Sequence, residues 1–458
     1  ERSDLLDGRA LAGRYYREVV APLLRSHRPA IPHAAGRLGT DRGMTLRVGL
    51  VTSEFPPDHG GVETYAWQLA KELGQRPDMQ VTVYAPPNSA GIAAPPGVTI
   101  KPVLKSCMGL DWPRLRDEPI DVWHAMSACH AWIAEKSRPT VVSVHGNDFL
   151  APYPLTMRPA LTLPGLHALR PLLWRRLRPF WQRVTHKMLA RALPRATAIL
   201  ANSRYTAEVL LKQHPACADK THVTWVGVDP AFFGVSRAPR NNVPQLLTVS
   251  RLSEPRKNVD LVLHALASLK DRFEFEYTVA GEGGLRPELE RLADSLGLGE
   301  RVRFVGRVSD AALRNLYGCA DLFVLTASIV PGSHEGFGIV YLEAAASGVP
   351  SLAARLAGAA EAVAEGRSGF FVDTPDVASL SNALARFLAG EIRFNADVCR
   401  DFAHDFDWKR IADVCENASP LEAAKIARDN PTRKVVFLAA GFETTTAPAA
   451  ALLAQGAP

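Results

Sequence analysis

Short apolar runs rich in β-branched residues alternate with longer segments of helical periodicity from residue 48 onward. This alternation is typical of βαβ units and a parallel sheet. The predicted strands of a first region are 48–51, 81–84, 122–125, 140–144 and 198–201, and those of a second region begin at 246, 278, 302, 321 and 369. The main predicted helices are 64–73, 378–388 and a closing helix at 401–418. The pattern therefore predicts an α/β protein.

A break separates the two regions at 234–244, which is rich in Pro, Asn and Arg and lacks periodicity, as interdomain linkers do. We therefore predict an N-terminal domain at 44–235 and a C-terminal domain at 236–400, followed by the closing helix. Residues 1–43 and 419–458 do not share the pattern. Since Met44 would serve as a natural start of translation, we interpret 1–43 as an appended or fused extension and 419–458 as a second extension.

Composition narrows the class of protein. The 458 residues, 47% hydrophobic and 22% charged, are typical of a globular protein with a large core. The six cysteines are scattered and form no Cys-x-x-Cys motif. The sequence also contains no apolar run of membrane-spanning length and no signal-peptide pattern. Together these features favour a cytoplasmic protein. A net charge of +6 suits anionic partners, either phosphate-bearing ligands or an acidic membrane surface. Because no nucleic-acid-binding signature is present, no nucleic-acid partner is expected.

One stretch, 331–350, reads as a loop with two glycines that turns into an Ala-rich helix. Gly336 and Gly338 would let the backbone approach a ligand closely, and the first helical turn would offer unpaired N–H groups to an anion. Glu335 and Glu343, eight residues apart, then lie in the loop and in the helix. Taken alone, the pattern also fits a surface loop that leads into a buried helix.

Other candidate ligand groups follow predicted strands, where open α/β sheets bind ligands. Gly60 and Gly61 come after the first strand, although a plain tight turn would look the same. His145 ends the strand 140–144, and His124 is a weaker candidate at the end of another strand. A lone His is more often structural than functional.

Arg251 and Lys257 follow the first strand of the second region. Two cations just beyond a strand suit a diphosphate, which Arg binds with a bidentate fork and Lys with a point charge.

The order of these motifs, above all Arg251-x5-Lys257 with Glu335-x7-Glu343, resembles the retaining nucleotide-sugar glycosyltransferases of family 4, over about residues 44–418. The resemblance implies the α/β GT-B fold, in which two Rossmann-like domains face each other across a cleft. It implies that Glu335 contacts the hydroxyls of the donor sugar and that His145 orients the sugar, both as catalytic residues. The donor-binding residues that it implies are Gly60, Gly61, Arg251, Lys257, Val308, Gly336, Phe337, Gly338, Ile339, Val340 and Glu343, of which Glu343 would hold the ribose.

The implied reaction transfers a hexosyl group from a nucleotide diphosphate sugar to a hydroxyl acceptor with retention, with neither a metal nor a cofactor. The acceptor would be a glycan, a glycolipid or a small molecule, as in polysaccharide or glycolipid biosynthesis. Two alternatives stay open. A sugar-nucleotide epimerase of the same fold would consume no acceptor, and a catalytically silent scaffold would share the fold without the activity.

Two features depart from the family pattern or need a separate interpretation. The family's Gly-Gly-x-x-Glu loop reads here Ala357-Gly358-Ala359-Ala360-Glu361, which puts donor affinity or sugar selectivity in doubt. Asp405 and Asp407 form an Asp-x-Asp, which we interpret as a solvated face of the closing helix.

A basic amphipathic segment at 158–191 contains no acidic residue. It suggests either a peripheral contact with the inner face of an anionic membrane, where a lipid-linked acceptor would be found, or a solvated helix that packs on its own domain.

The extensions show short resemblances of their own. Residues 1–43 look like the opening of an uncharacterised nucleotidyltransferase-like family. Residues 434–448 resemble a piece of the D-type hydrogenase maturation protein, but without its cluster-binding cysteines. No activity is therefore transferred from either resemblance.

Overall fold

The computed structural model describes residues 45–57, 60–105, 109–137, 139–152, 170–238 and 243–417, and no side chains at 170–178 or 413–417. The two extensions and the first part of the basic segment lie outside the described residues. By its internal contacts the chain divides into two compact units. The first runs to Ala201, includes Ala207–Thr224 and resumes at Ala412, and the second comprises Asn202–Thr206 and Trp225–Ile411.

The first unit is built on a seven-stranded parallel sheet in the order β3-β2-β1-β4-β5-β6-β7. Its strands are β1 Leu46–Val51, β2 Met79–Tyr84, β3 Val98–Lys101, β4 Val122–Ala125, β5 Thr140–Val144, β6 Ala198–Ala201 and β7 Thr221–Val223. The second unit contains a six-stranded parallel sheet in the order β10-β9-β8-β11-β12-β13. Its strands are β8 Gln245–Val249, β9 Glu276–Ala280, β10 Val302–Gly306, β11 Leu322–Leu325, β12 Ser351–Ala354 and β13 Gly369–Val372.

Helices connect the strands, and short 3₁₀ turns complete several of the connections. In chain order the helices are α1 Gly61–Gly74, α2 Trp112–Leu115, α3 Asn147–Leu150, α4 Arg170–Ala192, α5 Arg204–Gln213, α6 Val259–Ala267, α7 Arg286–Ser295, α8 Asp310–Cys319, α9 Ile339–Ala346, α10 Ala359–Ala362, α11 Val377–Leu388, α12 Ala396–His404 and α13 Trp408–Asn417.

Burial explains why the central strands read as continuous apolar runs. Every residue of β4, β5, β6, β11 and β12 is buried, as expected for parallel strands covered on both faces. The α/β fold with two Rossmann-like halves and the predicted strands are therefore confirmed. Strands β3, β7 and β12 had not been predicted. The first two are short edge strands, and β12 directly follows the helix stop signals at Gly348 and Pro350.

The prediction of one closing helix at 401–418 is wrong. The chain forms α12 and α13, with a break at Asp405 and Asp407. The carboxylate of Asp407 accepts the backbone N–H of Lys409 at 2.7 Å and thus caps the start of α13. Because Asp favours caps over helix interiors, these residues end one helix and begin the next. They do not form a solvated helix face.

In each sheet the strand order reverses its direction of growth at one place, between β1 and β4 and between β8 and β11. Open α/β sheets bind ligands at the carboxyl ends of such a pair of strands. The loop after β8 carries Arg251 and Lys257, and the loop after β11 carries Glu335. The fold therefore brings motifs about eighty residues apart in sequence to the carboxyl ends of β8 and β11, the switch point of the second sheet.

The loops after β8 and β9 pack tightly against each other because two glycines lie at their contact. A Cβ atom on Gly281 would meet the Ser250 carbonyl oxygen at 1.9 Å, and one on Gly283 would meet the Leu252 carbonyl carbon at 2.1 Å. The backbone N–H of Leu252 donates to the carbonyl of Glu282 across this contact. The loop that carries Arg251 and Lys257 is therefore held against β9.

This contact predicts that Gly283→Ala destabilises the protein, since the backbone of the β8 loop cannot yield as a flexible side chain would. We expect the free energy of unfolding to fall by about 1–3 kcal/mol in urea denaturation. Gly284→Ala is the matched control, because a Cβ atom there meets nothing within 4 Å. Equal stability of the two variants would contradict the close packing of these loops.

Candidate functional site

The loop after β8 is fixed to the loop after β11 through Asn258. Asn258 adopts a left-handed conformation, φ 57°, and its side-chain amide donates to the Thr326 carbonyl at 2.6 Å and to Ser328 Oγ at 2.7 Å. The backbone N–H of Ser328 in turn donates to the carbonyl of Arg256. These hydrogen bonds hold the 3₁₀ turn Pro255–Lys257 against the start of the loop that runs from β11 to Glu335.

Glu335 is a buried carboxylate that contacts two cations of this turn. Lys257 Nζ donates to Glu335 Oε2 at 2.5 Å, and Arg256 Nη1 donates to the same oxygen at 3.3 Å. Burial by itself raises the pKa of Glu335, but Lys257 and then Arg256 outweigh burial and lower this pKa to about 2. Glu335 is therefore ionised at neutral pH, and two of the predicted site residues, Lys257 and Glu335, form an ion pair.

Arg251, the other predicted cation, is not part of this pair. Its side chain is 62% exposed, and its Nε lies 3.5 Å from Glu254 Oε1. Glu254 also accepts Arg256 Nη2 at 2.5 Å. The five side chains thus form a chain of alternating charges, in the order Arg251, Glu254, Arg256, Glu335 and Lys257. The sequence reasoning missed Glu254 and Arg256, although both lie between the two predicted cations.

The helix predicted after the glycines begins at Ile339. Gly338 lies at φ 88° directly before it, and a Cβ atom there would meet the Tyr341 ring at 2.5 Å, so the turn into α9 requires glycine. Ile339 and Val340 form the half-buried first turn, whose backbone N–H groups have no carbonyl four residues earlier in the helix. This helix N-terminus therefore offers positive partial charge just after Glu335.

The remaining loop residues, Gly336 and Phe337, pack against Gly358 and Phe406. Phe337 is buried, with its ring 5.6 Å from that of Phe406. Gly358 packs directly against the loop, since a Cβ atom there would meet the Gly336 carbonyl oxygen at 2.1 Å, and its N–H donates to the Glu335 carbonyl.

The departure from the Gly-Gly-x-x-Glu pattern has a structural consequence at Ala357. This residue lies at φ 50°, in the left-handed region that favours glycine, so alanine is strained there. Glu361 is committed to protein groups, because its carboxylate accepts the backbone N–H groups of Arg204 and Tyr205 and the indole N–H of Trp225, all at about 3 Å. This loop therefore supports the site without presenting a free carboxylate.

Glu343 lies in a different electrostatic setting from Glu335. Burial raises the pKa of Glu343 to about 7, the hydrogen bond from the Tyr317 hydroxyl opposes the rise, and the carboxylates of Asp229 and Asp310 add to it. Tyr317 Oη donates to Glu343 Oε2 at 3.0 Å and also contacts the Val340 carbonyl at 3.2 Å. The sequence reasoning missed Tyr317, because nothing in the sequence near it points to Glu343.

Val308 follows β10 as a half-buried loop residue. Arg286 fixes the end of that strand by donating to the Phe304 carbonyl at 2.9 Å and to Glu282 at 2.6 Å. The N–H of Gly281 donates to the Gly306 carbonyl and ties the ends of β9 and β10 together. These hydrogen bonds therefore fix the start of the loop that carries Val308, at the carboxyl edge of the second sheet.

Gly60, Gly61 and His145 lie in the first unit, at the carboxyl edge of its own sheet. Gly61 is the exposed first residue of α1, and a Cβ atom there would meet nothing within 4 Å. Packing within the protein therefore does not require glycine at this position. Open space in front of a helix N-terminus is the setting in which a ligand binds the backbone closely.

His145 is held in one orientation by the residues around it. Its Nε2 lies 2.9 Å from the Met126 carbonyl, its backbone N–H donates to Asp148 Oδ1, and its ring meets that of Tyr65 edge to face. Because a carbonyl only accepts, Nε2 carries a proton in this arrangement.

Behind His145 lies a buried polar cluster that the sequence reasoning found only in part, through His124. Ser143 Oγ contacts His124 Nε2 at 2.8 Å and the Tyr65 hydroxyl at 3.0 Å. Burial and then the neighbouring His145 lower the pKa of His124 to about 3, so His124 is neutral. It supports the site from within the core.

The basic segment is described from α4 onward. Phe180 is 54% exposed, and Arg183, Lys187 and Arg191 are exposed at the spacing of one helix face. Arg191 pairs with Glu135 at 3.0 Å. In the part of the chain that the structure describes, no helix is both long and apolar enough to cross a membrane.

Two family models match consecutive parts of the chain. The model described as Glycosyltransferase Family 4 matches residues 59–232, and the model described as Glycosyl transferases group 1 matches residues 235–403. Together they match most of the described residues, from 60 to 403. The chain is a glycosyltransferase.

Individual relatives and structures agree with this assignment. The glycosyltransferase is 28% identical over 420 residues to a D-inositol 3-phosphate glycosyltransferase of Mycolicibacterium smegmatis, which covers 82% of this chain and 92% of the relative. It is also 28% identical over 380 residues to a GDP-mannose-dependent alpha-(1-6)-phosphatidylinositol monomannoside mannosyltransferase of the same organism, covering 74% and 88%. A sucrose-phosphate synthase from Thermosynechococcus elongatus, 17% identical, superposes with a TM-score of 0.63 over 84% of this chain and 98% of the other. The GT-B fold expected from the sequence is thus confirmed.

A third model, described as Hydrogenase formation hypA family, matches residues 408–457 of the glycosyltransferase. This match coincides with the C-terminal resemblance found in the sequence. Apart from α13, it lies outside the described residues. The resemblance of residues 1–43 has no counterpart among these matches and stays a prediction.

The environment of Glu343 predicts a pH-dependent effect on the stability of the glycosyltransferase. Its pKa rises on folding from the ordinary 4.5 to about 7, so ionisation of the buried carboxyl costs stability increasingly as the pH rises through this window. Glu343→Gln removes that cost. We expect it to raise the free energy of unfolding by about 1–3 kcal/mol at pH 8 and to leave it nearly unchanged at pH 5.

Thermal unfolding at the two pH values measures this effect. Glu208→Gln, at an exposed position of α5, serves as the control and should change the stability little at either pH. A Glu343→Gln variant that is less stable than the wild type at pH 8 would disprove the raised pKa.

Proposed function

We propose that this glycosyltransferase transfers a hexosyl group from a nucleotide diphosphate sugar to a hydroxyl acceptor, with retention at the anomeric carbon and without a metal. The observation that carries the proposal is the ion pair of Lys257 with the buried Glu335 at the switch point of the second sheet, directly before the N-terminus of α9. A cation and a helix N-terminus at one place suit a diphosphate, while a fixed carboxylate beside them suits sugar hydroxyls.

The difficult step is departure of the charged diphosphate from an oxocarbenium-like centre. Fixed positive potential where this charge develops is the largest help that a protein offers. Lys257, the exposed Arg251 and the first turn of α9 supply it in our proposal. On donor binding, Lys257 turns from Glu335 towards a phosphate oxygen, and Glu335 accepts hydrogen bonds from the sugar hydroxyls. A phosphate oxygen then acts as the base for the incoming acceptor on the same face.

Glu343 and His145 take the remaining roles. Ribose hydroxyls donate to Glu343, which binds them better as a carboxylate, so nucleotide affinity should increase as the pH rises through about 7. His145 donates from Nε2 to the Met126 carbonyl, which leaves Nδ1 to accept from a sugar hydroxyl. The backbone groups of Val308 would meet the base, and Gly60 and Gly61 would approach the phosphates.

The names of the relatives guide the choice of donor and acceptor. One relative is GDP-mannose-dependent, and both act on inositol-containing compounds according to their names. We therefore propose a phosphorylated inositol, free or lipid-linked, as the acceptor class and GDP-mannose as the first donor to test. Because both relatives are named as transferases, we place the epimerase and scaffold alternatives behind the transferase.

The decisive test is a thermal-shift and hydrolysis screen of the purified chain against GDP-mannose, UDP-glucose and ADP-glucose. One donor should raise the melting temperature and be hydrolysed slowly. Lys257→Ala should lose that shift and lower turnover at least about 100-fold, since it removes a charge stabiliser of the leaving group. Lys409→Ala, which removes an exposed lysine of α13, is the control and should behave as the wild type.

The possible outcomes separate the alternatives. If no donor produces a shift, the scaffold alternative gains and the transferase proposal fails. If the nucleotide sugar changes its sugar configuration without an acceptor, the epimerase explains the site. If Lys257→Ala keeps wild-type rates, the assignment of the site is wrong even when transfer occurs.

A lipid-linked acceptor would require the enzyme to meet a membrane, and the exposed face of α4 with Phe180, Arg183 and Lys187 offers a surface for that contact. Each basic residue near an anionic membrane contributes about 1 kcal/mol. Arg183→Glu with Lys187→Glu should therefore reduce flotation with phosphatidylglycerol vesicles about 10-fold or more. The same reversals at the exposed Arg386 and Arg393 are the control. Equal flotation of both double variants would assign α4 the role of an ordinary solvated helix.

A further inference from the structure

Arg256 differs from its neighbour Lys257 in how firmly it is held, although both contact the same oxygen of Glu335. Its side chain is only 6% exposed, and its guanidinium lies between two carboxylates, 2.5 Å from Glu254 Oε2 and 3.3 Å from Glu335 Oε2. Its carbonyl accepts the N–H of Ser328, which fixes the backbone as well. Arg256 therefore cannot leave Glu335 without also breaking its pair with Glu254.

Among the described residues, Lys257 pairs with one carboxylate, that of Glu335, and its ammonium lies at the end of a flexible four-carbon side chain. If it turns to the donor diphosphate, Glu335 loses its nearest cation while it remains buried. A buried carboxylate without a cation takes up a proton and then presents a hydroxyl, which cannot accept from a sugar hydroxyl as a carboxylate does.

We propose that Arg256 is a positioning residue that keeps Glu335 ionised and oriented while Lys257 is engaged by the donor. This inference rests on the proposed function for the role of Lys257. The two cations then have different roles. The rigid Arg256 preserves the charge of Glu335, and the flexible Lys257 moves to the phosphate.

Both cations contact Oε2, and among the described residues none forms a hydrogen bond to Glu335 Oε1. Oε2 is therefore fixed by the two cations, while Oε1 is available to accept from the sugar in the same geometry. In the described part of the chain, the other titratable groups beside the carboxylate are Tyr341 from α9, whose hydroxyl donates to the Leu325 carbonyl, and the adjacent His334, whose Nε2 contacts Thr206. Both side chains are thus engaged by protein groups other than Glu335.

The first test needs no turnover. Lys257→Ala mimics the withdrawal of the lysine, and Lys257→Ala with Arg256→Gln removes both cations. Carboxyl ¹³C NMR follows the titration of Glu335, whose signal is assigned by its loss in Glu335→Gln. We expect Glu335 to titrate below about 4.5 in the single variant and above it in the double variant. Equal titration midpoints in the two variants would overturn the proposal, whether or not the protein is a transferase.

The second test uses the donor found in the screen. Arg256→Gln should lower kcat about 10- to 100-fold at pH 6, as the loss of a charged hydrogen bond implies, and the ratio to the wild type should recover towards pH 8.5 as Glu335 ionises. Arg256→Lys should restore part of the loss, because it keeps the charge.

Arg301→Gln is the matched control. Arg301 also bonds backbone carbonyls and a glutamate of the second unit, but it has no contact with Glu335. It should lower stability without any pH-dependent change in kcat. A pH-independent loss in Arg256→Gln, equal to its loss of folded protein, would reduce Arg256 to a structural role and contradict the proposal. A wild type without turnover would refute the proposed function and leave the NMR test to decide this inference.

Discussion

A buried carboxylate between two cations is the constraint on which the second unit depends. Burial alone would make an ionised Glu335 costly, so the fold must bring Lys257 and Arg256 to it. These residues lie about eighty positions apart, on loops that follow β8 and β11. Only the strand order that makes β8 and β11 neighbours lets those loops meet, and Asn258 then fixes one loop to the other. The ion pairs of the site therefore depend on the strand order of the sheet.

Much of this arrangement could be predicted from the sequence, because its signals are local. Parallel strands buried on both faces appear as continuous apolar runs, and ligand groups follow them at their carboxyl ends. The turn at Gly338 could be predicted because the left-handed conformation there demands glycine. Even Ala357, noted only as a missing glycine, occupies a left-handed position, which explains in physical terms why glycine suits it.

The rest depends on tertiary contacts that no local pattern encodes. The pairing of Arg256 with Glu335 and the hydrogen bond from Tyr317 to Glu343 join separate elements. The closing helix failed as a single helix because the preference of Asp407 for a cap overrides an otherwise regular apolar period. Likewise, Arg251 pairs with Glu254, which lies within the motif but was not part of its interpretation.

The two glutamates of the motif illustrate why spacing alone does not define function. Glu335 faces cations and has a pKa of about 2, whereas Glu343 faces a tyrosine and two further carboxylates and has a pKa of about 7. One is a permanent anion, and the other changes its charge near neutral pH. A paired acid and base would need both groups at one bond, yet each has its own partners on different elements. The difference in environment therefore favours two separate recognition tasks, one that needs constant charge and one that tolerates protonation when the ligand is absent.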